Sequence, residues 1–208
     1  MWIVRIILAV IMFTMVVAFG NILKRRREDD RLLENRPINL LGVIIYNLAF
    51  YLMAGLPSDL NVFSPPAFLA GSGVRIGFLI VGLVLITFSS VVLLIVVRQR
   101  KTVGVENVKE GLLTSGVYRF ARHPIYAGIV LISLGVALVF YSWDGLLMIP
   151  VILLINMAGA LTEERYDIGA RFPAEYREYR KRTRMFGPIW LWSILAVILL
   201  IIAGAAYI

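Results

Sequence analysis

The sequence predicts an all-α fold, a polytopic transmembrane bundle of about six helices forming a single membrane domain. Three observations carry this expectation. The 208-residue chain is 60 % hydrophobic with a mean hydropathy of +0.86, well above the roughly half-apolar composition of soluble domains. Its apolar residues fall in long runs close to the ~20 residues that cross a hydrocarbon core. Its basic residues, 21 in all, collect between those runs rather than within them.

In chain order, the first run covers residues 2–23 and is followed at once by KRRREDDR. A secretory signal places its positive charge before the apolar core, so this run is expected to be a retained span. A second span is expected over residues 39–57, and the loop 58–72, rich in Pro, Ser and Gly, contains no Lys or Arg. The third runs over residues 74–97 and ends in RQRK. Two further spans, near 124–141 and 145–161, form a hairpin about YSWDG. The run 189–208 is the sixth. Residues 1–110 thus read as generic spans, 111–188 as a distinct core, and 189–208 as an additional span. No separate soluble domain fits this length.

Lys and Arg number six in residues 24–36, six in 98–122 and seven in 165–184, all on one side of the predicted membrane. Only Arg5 and Arg75 lie elsewhere. The positive-inside rule makes the basic side cytoplasmic and puts both termini outside. Attraction to anionic lipid headgroups accounts for the net charge of +8. No nucleic-acid module is visible in the basic segments. The absence of cysteine excludes disulfides and thiolate chemistry, and a single histidine leaves too few ligands for a zinc or di-iron centre.

The core is built symmetrically: Pro124 and Asp144 are 20 positions apart, and so are Asp144 and Glu164. Two helices joined at YSWDG therefore return the chain to its starting level. Arg122, the lone His123 and Tyr126 should then face Glu163 and Glu164. Collecting such polarity where membrane helices begin and end is costly, which points to an active site. The hairpin helices read as slightly short, so these ends should sit just inside the membrane. Pro124 suits the first helical position, which sets Arg122 and His123 beside free backbone N–H groups able to hold an anion. The two glutamates fall near a helix C-terminus, where carboxylates need a positive partner. Each group also has a plainer reading: a capping histidine, surface salt bridges to Arg119, Arg122 or Arg165, an interfacial belt of Tyr118, Tyr126, Tyr176 and Tyr179, and helix–helix glue for Asn156. Their convergence at one level favours function.

The run GLLTSGVYRFARHPIYAG, an apolar hairpin, and EERYDIGARFPAEYREYRKRTRMFGP together resemble the C-terminal half of isoprenylcysteine carboxyl methyltransferases and related prokaryotic integral-membrane methyltransferases. The resemblance spans residues 111–188. It implies an S-adenosylmethionine site formed by Gly111, Leu112, Leu113, Tyr118, His123, Pro124, Ile125, Tyr126 and Glu164. It also implies a prokaryotic cell membrane and a lipid-like or prenylated methyl acceptor, without metal. In this reading Glu164 pairs with the cofactor's ammonium, His123 and nearby N–H groups take its carboxylate, and Tyr118 or Tyr126 packs on the adenine or sulfonium. Arg122 is the candidate catalytic residue, orienting a carboxylate acceptor, with service to the fold or to the cofactor as its alternative roles. Glu163, about 100° round the helix from Glu164, is expected to turn toward a basic loop residue. Two positions depart from the eukaryotic pattern: Ala160 stands where those enzymes have a substrate-contacting arginine, and Pro173 replaces a glycine. Two alternatives belong to other classes, a nicotinamide-dependent sterol-type reductase, whose element usually reads RHPNY, and a non-catalytic membrane scaffold.

Overall fold

A computed structural model describes residues 2–26, 36–56, 72–100 and 111–204. Most of the loop 58–72 and parts of the first two basic segments lie outside the described residues. The helices are α1 (Trp2–Arg26), α2 (Arg36–Gly55), α3 (Ser72–Arg100), α4 (Pro124–Val139), α5 (Trp143–Glu163), α6 (Gly169–Arg171), α7 (Pro173–Arg182) and α8 (Ile189–Gly204). A 3₁₀ turn, Gly116–Arg119, precedes α4, and a π turn, Glu164–Ile168, joins α5 to α6. No strand occurs among the described residues.

Among the described residues, three helical stretches, Ile3–Lys24, Gly73–Gln99 and Trp143–Arg171, are long and apolar enough to cross a membrane by themselves, against about six spans expected. Ile44–Gly55, within the 20 residues of α2, and Pro124–Val139 are shorter apolar stretches. The 16 residues of α4 rise only about 24 Å. The expectation that both hairpin helices are short holds for α4 alone, since α5 and its π turn continue into α6. Large apolar side chains face outward along α1 (Ile6, Val10, Phe13), α3 (Ile80, Val84, Phe88) and α8 (Trp190, Val197, Leu200). A lipid-facing surface of this kind marks an integral membrane protein.

Lipid tails are as apolar as leucine, so helix association in a membrane rests on close packing and polar contacts. Both are present. Helix α3 packs along α4 with Gly82 against Gly135. A Cβ on either would sit 2.7 Å from the other's carbonyl oxygen, so only glycine permits this crossing. A central core of Met12, Val16, Phe50, Met53, Ile129, Val130, Ile152 and Ile155 joins α1, α2, α4 and α5.

At the α4–α5 turn the bundle is tied by a buried ion pair. Arg5 is fully buried; its Nη1 lies 3.5 Å from Asp144 Oδ2. Its other nitrogens donate to Met53 O (3.1 Å), Ser142 Oγ (3.2 Å) and Leu56 O. Ser142 caps α5 by accepting from Gly145 N at 3.1 Å and donates to Leu56 O at 2.8 Å. The cation thus meets carbonyls at the end of α2, and the carboxylate lies in the first turn of α5; each helix dipole favours its charge.

Candidate active site

At the opposite end of the α4–α5 hairpin the polar lead-in is folded before it reaches α4. The 3₁₀ turn closes through Tyr118 N to Ser115 O (3.2 Å) and Phe120 N to Val117 O (3.0 Å). The chain then extends, and Arg122 N and His123 N donate to Arg184 O and Met185 O, each at 2.9 Å. These two N–H groups are therefore taken by the segment after α7. Pro124 does open α4, with His123 at its N-cap position. The imidazole makes no capping bond, which leaves its ring to face α5.

The spacing argument is met in three dimensions. His123 Nε2 lies 3.0 Å from Glu164 Oε1, and Arg122 Nε donates to the same oxygen at 3.1 Å. On its other side His123 Nδ1 lies 3.5 Å from Glu163 Oε2. Glu163 thus meets His123 as well, and the imidazole sits between the two carboxylates. Nor do the glutamates end a helix, because the π turn beginning at Glu164 carries the helical path on to Arg171. Such turns inside helices recur at functional sites. Arg122, His123, Glu163 and Glu164 are 8, 4, 7 and 6 % exposed, so their interactions are little screened by water.

The surrounding aromatics arrive from two directions. Tyr126 shares the central core, its ring centroid 5.7 Å from that of His123. Gly159 of α5 makes room for it, since a Cβ there would lie 3.2 Å from the phenol ring. Tyr118 is buried with Val96, Tyr176 and Tyr179, and Leu112, Leu113 and Ile125 pack against this group. Gly111, at φ +105°, adopts a conformation open mainly to glycine. The structure therefore brings Arg122, His123, Tyr126 and both glutamates together, and gathers Leu112, Leu113 and Tyr118 in an adjoining aromatic cluster.

Helix α7 was read from sequence only as a basic loop. Pro173 opens it, and Tyr176 and Tyr179, three positions apart, share its buried face. Tyr179 Oη donates to Tyr118 O at 2.5 Å, and the Arg122 guanidinium donates to Thr183 O and Arg180 O. Trp192 Nε1 then ties α8 to Phe186 O at 3.1 Å. The proline followed by tyrosines at helical spacing was the available signal for α7; nothing in the sequence foretold the main-chain pairing.

Burial lowers the basicity of His123, but the hydrogen bonds and charges of Glu163 and Glu164 outweigh it and raise the pKa above its ordinary value. Burial, then the Glu164 charge, raises that of Tyr176. An imidazole flanked by carboxylates, a guanidinium held by one of them and buried aromatic rings form a donor set that fits a zwitterionic, cationic nucleoside. A cavity of about 80 Å³ lined by Leu23, Tyr166, Asp167, Ala170 and Arg171 lies against the π turn. It is water-sized rather than cofactor-sized.

Neither the curated proteins nor the solved structures hold a match to this chain. A family model does: it reaches back into α3, where the sequence showed only generic hydropathy, and stops at Asp167, before α7. Residues 77–167 match a family model described as phospholipid methyltransferase, integral-membrane methyltransferases related to the isoprenylcysteine carboxyl methyltransferases, which bears out the resemblance.

Proposed function

We propose that the protein is a multi-pass, S-adenosylmethionine-dependent methyltransferase acting on a lipid-like or prenylated acceptor, with its site on the cytoplasmic face of a prokaryotic cell membrane. The observation that carries this reading is the buried cluster of Arg122, His123, Glu163 and Glu164, in the segment matched by the family model. The distribution of Lys and Arg supports the orientation. Six crossings follow if α2, α4 and α8 also span, the shorter ones by local thinning of the bilayer.

The cofactor supplies an activated methyl on a sulfonium. The protein's part is positioning and exclusion of water. Glu164 holds the ammonium, His123 the carboxylate, and Gly111, Leu112, Leu113, Tyr118, Pro124, Ile125 and Tyr126 shape the rest of the site. Arg122 already donates to Glu164 and Thr183 O. It therefore holds the Glu164 carboxylate in place, and orients an acceptor carboxylate only by exchanging one of those bonds. Ala160, fully buried, supplies no substitute charge. A carboxylate acceptor needs no general base, and an apolar acceptor reaches this level from the bilayer between helices.

Titrating purified protein with S-adenosylhomocysteine tests the reading. Saturable binding in roughly the micromolar range is expected, as for an enzyme cofactor. Absence of binding in detergent and in lipid alike, or binding of NADPH instead, overturns it.

A further inference from the structure

Helix α7 buries two tyrosines on one face, and their hydroxyls are used differently. Tyr179 Oη donates to Tyr118 O, so the fold accounts for that group. Tyr176 is more than nine-tenths buried in the same cluster, with Val96 and Tyr118, yet its Oη makes no hydrogen bond among the described residues. Leaving a buried hydroxyl unpartnered is costly, and such groups are uncommon enough in folded proteins to call for a cause.

The neighbour of that hydroxyl is the carboxylate at the centre of the site. A Cβ at Gly169 would lie 3.5 Å from Tyr176 Cδ1, so the phenol ring lies over the π turn that begins at Glu164. Arg122 Nε and His123 Nε2 both meet Glu164 at Oε1, at 3.1 and 3.0 Å, which leaves Oε2 to other donors. Phenol and carboxylate act on each other, since the Glu164 charge helps to raise the Tyr176 pKa, but they stop short of a direct hydrogen bond. The Arg122 guanidinium, also near, directs its hydrogen bonds to Glu164 Oε1, Arg180 O and Thr183 O rather than to the phenol. Two oxygens close together and not bonded to each other suit a group that carries several N–H donors.

We propose that Tyr176 is a further cofactor-binding residue, which with Glu164 Oε2 forms the seat of the cofactor's ammonium: the carboxylate oxygen and the phenol oxygen each accept one N–H. This rests on the methyltransferase reading above. An ammonium has three N–H donors and no acceptor. Burial and the Glu164 charge keep the phenol neutral, so it meets the ammonium through a lone pair. Tyr176 lies beyond Asp167, where the family match ends, and α7 thus contributes to the site from outside the matched segment.

Calorimetric titration of the full-length protein in detergent tests the assignment without activity. The probes are S-adenosylhomocysteine and its deaminated analogue, in which hydrogen replaces the ammonium. Tyr176→Phe keeps the ring and removes the hydroxyl. It should weaken S-adenosylhomocysteine by about tenfold or more, as for a hydrogen bond to a charged group, and leave the analogue's affinity unchanged. Because the lost hydroxyl has no partner in the free protein, the melting temperature should hold or rise. Tyr179→Phe removes a hydroxyl bonded to main chain; it should lower the melting temperature and leave the ratio of the two affinities as it was. The proposal is overturned if Tyr176→Phe leaves S-adenosylhomocysteine binding intact, weakens both ligands equally or lowers the melting temperature. Wild-type protein that binds neither ligand sinks the methyltransferase reading as well, so the two failures are told apart.

Discussion

Two buried charge clusters sit at opposite ends of the same hairpin and differ in kind. The one at the α4–α5 turn pairs Arg5 with Asp144 and directs further guanidinium contacts at Ser142 and main-chain carbonyls. It contains no histidine. The one before α4 adds an imidazole between two carboxylates and is bordered by Tyr126, Tyr176 and an aromatic cluster. Burial alone therefore does not mark a site. A clamp saturates its donors with the fold's own carbonyls, whereas a site keeps a titratable group and flat apolar faces beside its charges.

The largest effect should come from breaking the clamp. Arg5→Leu leaves Asp144 buried without its cation and should cost about 3–5 kcal/mol of stability. The double variant Arg5→Leu with Asp144→Leu should recover most of that loss. Thermal unfolding in detergent measures both. Unchanged cofactor affinity per folded molecule would confirm the contrast, and a selective loss of affinity would abolish it.

At the other cluster the order reverses. Glu164→Gln removes the carboxylate shared by Arg122 and His123 and should lower cofactor affinity by about 2–5 kcal/mol, by analogy with charge pairs at interfaces. Glu163→Gln, with its longer contact to His123, should cost less, roughly 1.5–3 kcal/mol, as for a hydrogen bond to a charged group. Affinity and melting temperature measured on each variant distinguish a site from a second clamp. Equal melting losses with unchanged affinities would mean that both clusters are clamps.

Packing contributes on a smaller scale. Gly135→Ala meets the Gly82 carbonyl at 2.7 Å, main chain that cannot rotate away, and should destabilise the α3–α4 crossing by about 1–3 kcal/mol. Gly159→Ala meets the Tyr126 ring at 3.2 Å, and the ring can yield. Its melting shift should be the lesser of the two.

The gentlest probe is pH. The folded pKa of His123 is raised above its unfolded value, ordinarily near 6.5, so the folded state binds the proton more tightly. Its contribution to stability is complete below about pH 6.5 and is lost as pH rises through the higher folded value. Melting temperature should fall across that interval. In Glu163→Gln the fall should be shallower, whereas altering the clamp at Arg5 should leave its slope unchanged.

What the sequence determined by itself is what depends on composition and on spacing along a helix. Apolar runs gave a helical membrane protein, because lipid leaves backbone groups no other partners. The equal spacing of Pro124, Asp144 and Glu164 brought Arg122 and His123 to the glutamates, because a helical hairpin returns the chain by its length. Only tertiary structure decided the rest. Arg5 meets Asp144 across 139 positions of sequence, and no local pattern encodes that meeting. The segment after α7 takes the N–H groups of Arg122 and His123 through main chain, which carries no residue signature. The clasp of both carboxylates on one imidazole depends on where that ring lies relative to the end of α5. Spacing along a helix sets which level a group reaches; the partner it finds there depends on how other helices cross.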